Sequence, residues 1–193
     1  MQRAIVVLRA AFIVIWVGVI VVCLATYFSA PESFTAERIA TFLRDFRGEI
    51  WLLYLAMSSL RGFTLLPSTP FVLAGTVLFP EQPVLVLVVS LLGIFISSSL
   101  IYFFSGALGF SDYFEKRSSK LAGEIRSKLE RPAGALFVAL WAFFPAVPTD
   151  VVCYIAGTIR MSFTRFIAAI LVGEMVLCSA YVFIGRSIWE LFV

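Results

Sequence analysis

The segment LLPSTPFVLAGT, residues 65–76, puts Pro67 and Pro70 inside a long apolar stretch. Within a helix each proline removes a backbone hydrogen bond and clashes with the preceding turn, at roughly 3 kcal/mol. In hydrocarbon the freed backbone group has no water to bond. The device is repeated. Residues 143–158 read FFPAVPTDVVCYIAGT, with Pro145 and Pro148 at the same spacing and the same AGT behind them. A chain that breaks two apolar runs at matched places does not fold as a simple bundle of spanning helices.

The apolar stretches set the fold class. Hydrophobic residues make up 61% of the 193 and charged residues 14%, against about 45–50% and about 25% in soluble domains. Mean hydropathy is +1.01. This composition predicts an integral membrane protein. The net charge of +3 gives no reason to expect a nucleic-acid partner. Positive residues instead gather at Lys116, Arg117, Lys120, Arg126, Lys128 and Arg131, a cluster expected on a cytoplasmic loop, about 111–131. Cys23, Cys153 and Cys178 all lie in apolar sequence without CxxC spacing and read as small buried hydrophobes. With no histidine, His-based catalysis and His metal sites are excluded. No HExxH motif, metal cluster or cofactor motif is present, so neither an enzyme nor a cofactor is expected.

Residues 1–30 read as a retained N-terminal transmembrane helix. A signal peptide cleaved before Pro31 would place the bulky Phe28 where a small residue is needed. With Arg3 and Arg9 ahead of the span, the N-terminus is expected in the cytoplasm. In residues 31–48, Ile39, Phe42, Leu43 and Phe46 recur at helical spacing, which predicts an amphipathic interfacial helix. Phe114, Leu121, Ile125 and Leu129 suggest a second surface helix in the basic loop. Residues 84–110 and 163–189 read as full spans. The pieces beside the prolines do not. Residues 71–79, 133–144 and 149–159 number nine, 12 and 11, about 14–18 Å of helix against a core of about 30 Å.

Short pieces around proline turns predict two re-entrant hairpins, about 49–80 and about 133–159, each dipping in and returning to the same side. Following the chain from a cytoplasmic N-terminus, the first hairpin enters from outside and the second from inside. The basic loop then falls on the positive side. The expected fold is all-α and polytopic: an inverted repeat of two re-entrant hairpins packed with about three full transmembrane helices, plus amphipathic surface helices, in a membrane domain of residues 31–193. Broken helices meeting at the midplane suit a secondary transporter. Because irregular backbone at that depth must be covered by protein or reached by water, the two turns should meet each other or a cavity.

The paired motifs, LRGFTLLPSTPFVLAGTVLFP and FFPAVPTDVVCYIAGTIRMSFTRFIAAILVG, resemble the DedA superfamily. This is also called the VTT or SNARE-associated Golgi protein family, and the likeness is to its Tvp-like bacterial branch. It runs over about residues 61–185. The chain departs from the pattern where Ser68-Thr69 stands at a tip often acidic in the family. It departs again in ALFVALWAFFP, which lacks the arginine found there in many members. The resemblance implies opposed re-entrant hairpins and movement of lipids across the bilayer, as a flippase or scramblase. The substrate would be a phospholipid or polyprenyl phosphate, and the site a bacterial inner membrane, with protons as a coupling ion in some relatives. A small-solute or ion transporter of the same fold and a non-transporting envelope-assembly scaffold are the alternatives, and a homo-oligomer is compatible with either.

Candidate substrate-binding residues follow from charge at depth. Arg61, just before the first turn, costs at least ~2.5–3.5 kcal/mol to insert and so needs a partner or a task. It is read either as a phosphate ligand or as the structural partner of Asp150 or Glu174. Asp150, at the start of a short helix, reads as an N-cap and as a functional carboxylate. Glu174, in mid-helix, reads as a proton relay or an Arg61 partner. Thr69 at the first tip completes the set with Arg160, whose plainer role is a cytoplasmic anchor. Pro67, Pro70, Pro145 and Pro148 end helices, and Gly75 and Gly157 allow close backbone approach. Short helices beginning at Phe71 and Thr149 would aim their positive ends at a polar central cavity that admits the headgroup.

Overall fold

The computed structural model describes residues 2–46, 49–107, 124, 125, 127–129, 131–145 and 147–184. Among them the regular structure is entirely helical. Most of the basic loop and the chain beyond Ile184, including Arg186 and Trp189, lie outside the described residues. Helix α1 spans Gln2–Ser29, α2 Ala36–Asp45, α3 Ile50–Leu60 and α4 Thr69–Leu78. Next come α5 at Pro83–Ala107, α6 at Pro132–Phe143, α7 at Thr149–Thr158 and α8 at Phe163–Ser179, which continues as a π turn, Ala180–Ile184.

Two segments, Pro83–Ser105 and Phe163–Ile184, are long and apolar enough to cross a membrane. Helix α1 adds the apolar stretch Ile13–Ser29. These helices suit a membrane protein. Val84, Val88, Leu92 and Phe95 project from one face of α5 and are exposed. Its buried side carries Ser90, Ser97 and Ser98, and small residues let helix backbones approach without a large apolar side chain between them.

The first proline turn is a return. Trp51, near the start of α3, stacks on Phe79 at the end of α4 with ring centroids 3.5 Å apart. Tyr54 faces Gly75, so α3 and α4 lie antiparallel. α3 also runs alongside α5 in the same direction. Tyr54 hydrogen-bonds Ser90 at 2.8 Å, Ser58 touches Gly93, and Gly62 reaches Ser97 and Ile101. Helix α7 takes up where α3 stops: Asp150 sits against Gly62, and Gly157 against Tyr102 and Ser105. Two short helices thus cover successive halves of α5, their inner ends meeting near Ser97. Helix α6 packs on α8, where Gly173 abuts Ala139 and Ala142. The main core lies among α5, α6, α7 and α8, and a smaller one joins α2 to α3 and α4.

Two local expectations need correction, and the apolar side of α2 divides between protein and exterior. The helix entering the first turn stops at Leu60, ahead of the prolines. Arg61–Thr64 is a 3₁₀ turn capped by Leu65 in the left-handed region, φ 59°. Helix α4 starts at Thr69 and not Phe71, because Pro70 fits the first helical turn, where no backbone donor is needed. On α2 the buried face is Ile39, Ala40 and Leu43, packed on Leu66, Phe71 and Ala74, while Phe42 and Phe46 are each 55% exposed. Small Ala40 brings the helix close to α4, and Arg44 Nη2 donates to the Val77 carbonyl at 2.8 Å; Phe42 and Phe46 are thereby turned outward.

Candidate functional site

Three charged side chains are buried among the described residues: Arg61, Asp150 and Glu174. Each is brought in by a different element. The 3₁₀ turn after α3 carries Arg61, whose Nη1 donates to Asp150 Oδ2 at 3.3 Å and to the Leu66 carbonyl at 3.1 Å. The pair is single-pronged and longer than the ~2.7–2.9 Å of a well-made charge-assisted bond. Gly62 makes it reachable. A Cβ there would overlap Ser97 Oγ and Asp150 Oδ1 as they stand, so glycine lets the turn carrying Arg61 lie close to α7 and α5 without moving those side chains.

Asp150 does not cap its helix. Pro148 occupies the N-cap position, and Asp150 lies inside the first turn, where it faces Arg61. That position still favours a negative charge, through the positive end of the helix. Glu174 comes from the middle of α8. Thr149 Oγ1 donates to its Oε1 at 2.7 Å, and the Cys178 thiol lies 3.8 Å from its Oε2. Adjacent residues of α7 thus hold the two carboxylates in different ways: Thr149 engages Glu174 by a hydroxyl, Asp150 engages Arg61. Of the two partners the sequence allows for Arg61, the structure selects Asp150. If both acids are ionised, one guanidinium serves two carboxylates.

Beside this cluster lies a cavity of about 550 Å³ bordered by all four motif prolines. The proline turns of both halves therefore meet at one space. Its other walls are Leu65, Thr69, Tyr181 of the π turn, and Leu24, Tyr27 and Phe28 of α1. Arg61, Asp150 and Glu174 are not among its lining residues: the 3₁₀ turn draws Arg61 back to α7, and the turns present proline rings to this space. Among the described lining side chains, the non-aromatic hydroxyl of Thr69 donates to the Tyr181 phenol at 3.3 Å.

Gly75 and Gly157 lie away from the cavity at helix crossings, Gly75 under the Tyr54 hydroxyl and Gly157 against the Tyr102 backbone. Arg160 is exposed and does not line the cavity. It holds the left-handed position, φ 55°, just past α7. Its N–H bonds the Gly157 carbonyl and that of Met161 bonds Ala156, the two bonds of a Schellman closure. Sequence reasoning missed Gly62, Tyr181 and Trp16. The Trp16 indole donates to the Phe63 carbonyl at 3.1 Å and so ties α1 to the turn that carries Arg61. Gly62 was open to discovery as a glycine beside a membrane arginine; a single tyrosine in an apolar helix offers no such signal.

Comparison with known proteins gives one family: the VTT domain model matches residues 66–187, so the match contains both proline turns, Asp150 and Glu174, while Arg61 sits just ahead of it. No curated protein and no solved structure matches the chain.

Proposed function

The chain belongs to the VTT-domain family, that of the DedA and SNARE-associated Golgi proteins, and from that premise we propose that it moves an anionic lipid, a phospholipid or a polyprenyl phosphate, across a bacterial inner membrane. The N-terminus lies in the cytoplasm and the two proline turns are the tips of re-entrant hairpins entering from opposite faces. The succession of α3 and α7 along one side of α5 supports that arrangement.

One observation carries the reading. A buried, single-pronged Arg61–Asp150 pair adjoins a cavity made by both proline turns and walled on one side by a single helix. That wall is thin and its far side is apolar: Phe28 lines the cavity yet is 78% exposed, and Val21 and Val22 beside it are exposed too. Such a cavity is separated from the bilayer by one helix and favours a substrate that arrives sideways, a lipid, over a water-borne solute. Guanidinium recognises phosphate as readily as carboxylate. In this mechanism Arg61 exchanges Asp150 for the lipid phosphate as the headgroup passes the tips. Asp150 is then the resting counter-charge; once phosphate replaces it on Arg61, Asp150 takes up a proton, which Glu174, next to it through Thr149, passes on and regains, so the cluster stays neutral.

The test is lipid translocation by purified protein in liposomes, using a fluorescent phospholipid and a polyprenyl phosphate, with and without a pH gradient. Arg61→Ala is expected to abolish movement. Glu174→Gln is expected to remove gradient dependence while the protein stays folded, since the amide keeps an acceptor for Thr149. Failure of folded wild-type protein to move either lipid sinks the reading.

A further inference from the structure

We propose that the cavity between the proline turns is a binding site for the hydrocarbon chain of a lipid, and that Tyr181 fixes its occupant by donating a hydrogen bond to an uncharged oxygen at the head of that chain. Naming a lipid rests on the functional reading above. The chemistry of the site rests on its lining.

The buried charges are engaged outside the cavity. Arg61 is held by Asp150 and the Leu66 carbonyl, and Glu174 by Thr149. While Arg61 stays on Asp150, a charged headgroup resting between the turns would find no opposite charge among the lining residues, an unfavourable exchange. Leu24, Phe28, Leu65 and the four proline rings offer apolar surface instead. The volume of about 550 Å³ falls within the ~300–1,000 Å³ of small-molecule pockets. Hydrocarbon matches such walls, and it is what surrounds α1 in a bilayer.

The polar exception is specific. Thr69 Oγ1 donates to the Tyr181 oxygen. A phenol accepts and also donates, so this arrangement leaves the Tyr181 O–H available to donate to an occupant of the cavity. The ester or ether oxygen that joins a lipid chain to its headgroup is an acceptor of that kind. Tyr181 also sits in the π turn Ala180–Ile184, which offsets it from the α-helical register of α8; such turns are frequent where a helix contributes to a site. The head of the chain would then lie by Tyr181, with the phosphate turned toward the Arg61–Asp150 pair, where Arg61 can exchange partners.

The experiment uses full-length protein in phosphatidylcholine and phosphatidylglycerol vesicles containing a phosphatidylcholine probe with a diazirine in mid-chain. A matched probe carries the diazirine on the headgroup. After irradiation, labelled peptides are mapped by mass spectrometry. Labelling at Val21 and Val22, which face outward, is background. The expected result is chain-probe labelling around Leu65–Pro70, on the apolar side of the cavity, that unlabelled lipid competes away. Leu24→Trp, which fills the cavity from the α1 side, should lower it about threefold or more by steric occlusion. Tyr181→Phe keeps the ring and removes the hydrogen bond to the lipid along with the one from Thr69, so competition by unlabelled lipid should weaken about two- to tenfold. The proposal is overturned if the headgroup probe labels these positions in preference to the chain probe. It is equally overturned if neither probe labels them while the same protein moves lipid. Chain labelling that responds to both substitutions, in protein that moves no lipid, upholds the site and overturns the transport reading alone.

Discussion

The two proline turns share their spacing and a trailing Ala-Gly-Thr, but the chain reaches them differently. Helix α6 keeps α geometry to Phe143 and turns at once. Helix α3 gives up α geometry at Leu60, and a 3₁₀ turn and a left-handed leucine intervene before Pro67. That extra segment carries Arg61 and Gly62. The first turn thus brings the cation, and the helix after the second brings Thr149 and Asp150. Repetition places a turn at each proline pair; the departures from repetition set the chemistry where the turns meet.

The largest effect should come from breaking that complementarity. Arg61→Ala leaves Asp150, 2% exposed, without its charge partner, and is expected to cost about 3–5 kcal/mol. Replacing both charges, Arg61→Met with Asp150→Leu, should recover most of that stability and none of the transport, because apolar side chains of similar size often replace a buried pair at little cost. Thermal unfolding in detergent of both single variants and the double checks the coupling. If the double is as unstable as the sum of the singles, the pair does not hold the two halves together.

The glycine of each Ala-Gly-Thr sharpens the comparison at smaller magnitude. A methyl at Gly157 meets the backbone carbonyl of Tyr102, which cannot move without α5. At Gly75 it meets the Tyr54 side chain, which can shift if its bond to Ser90 is given up. Gly157→Ala should cost about 1–3 kcal/mol as overpacking, and Gly75→Ala less, about the 0.5–1.5 kcal/mol of one hydrogen bond. The order of the two melting temperatures is the measurement. A reversal would mean that the first turn is the more rigid.

What was legible in the sequence were features with a period, a length or an unusual cost. Prolines in apolar runs announced the turns, and pieces of nine to 12 residues announced the short helices beside them. Arg61, Asp150 and Glu174 stood out because charge is expensive in hydrocarbon. Their pairing was not legible, since either acid lies within reach of the arginine until the path of the 3₁₀ turn is known. The character of the cavity was also hidden. It depends on which way each turn presents its side chains, and the same residues could have enclosed the charges. On α2 the helical period was right, but its centre depended on Ala40, whose small size matters only once α4 is in place.

The smallest predicted effect returns to the difference between the turns. A left-handed conformation costs a residue with a side chain about 1–2 kcal/mol, and Leu65 holds one, φ 59°, directly ahead of Pro67. Truncation to alanine and to glycine removes nearly the same cavity-facing surface but leaves that cost only in the alanine. Leu65→Gly should therefore be the more stable of the two by about 1 kcal/mol, after its larger unfolded-state entropy is offset. Unfolding midpoints of the pair would show it. An alanine variant equal to or more stable than the glycine would mean that the segment between Arg61 and Pro67 relaxes out of the left-handed region, and that the geometry placing Arg61 on Asp150 does not depend on a held backbone at Leu65.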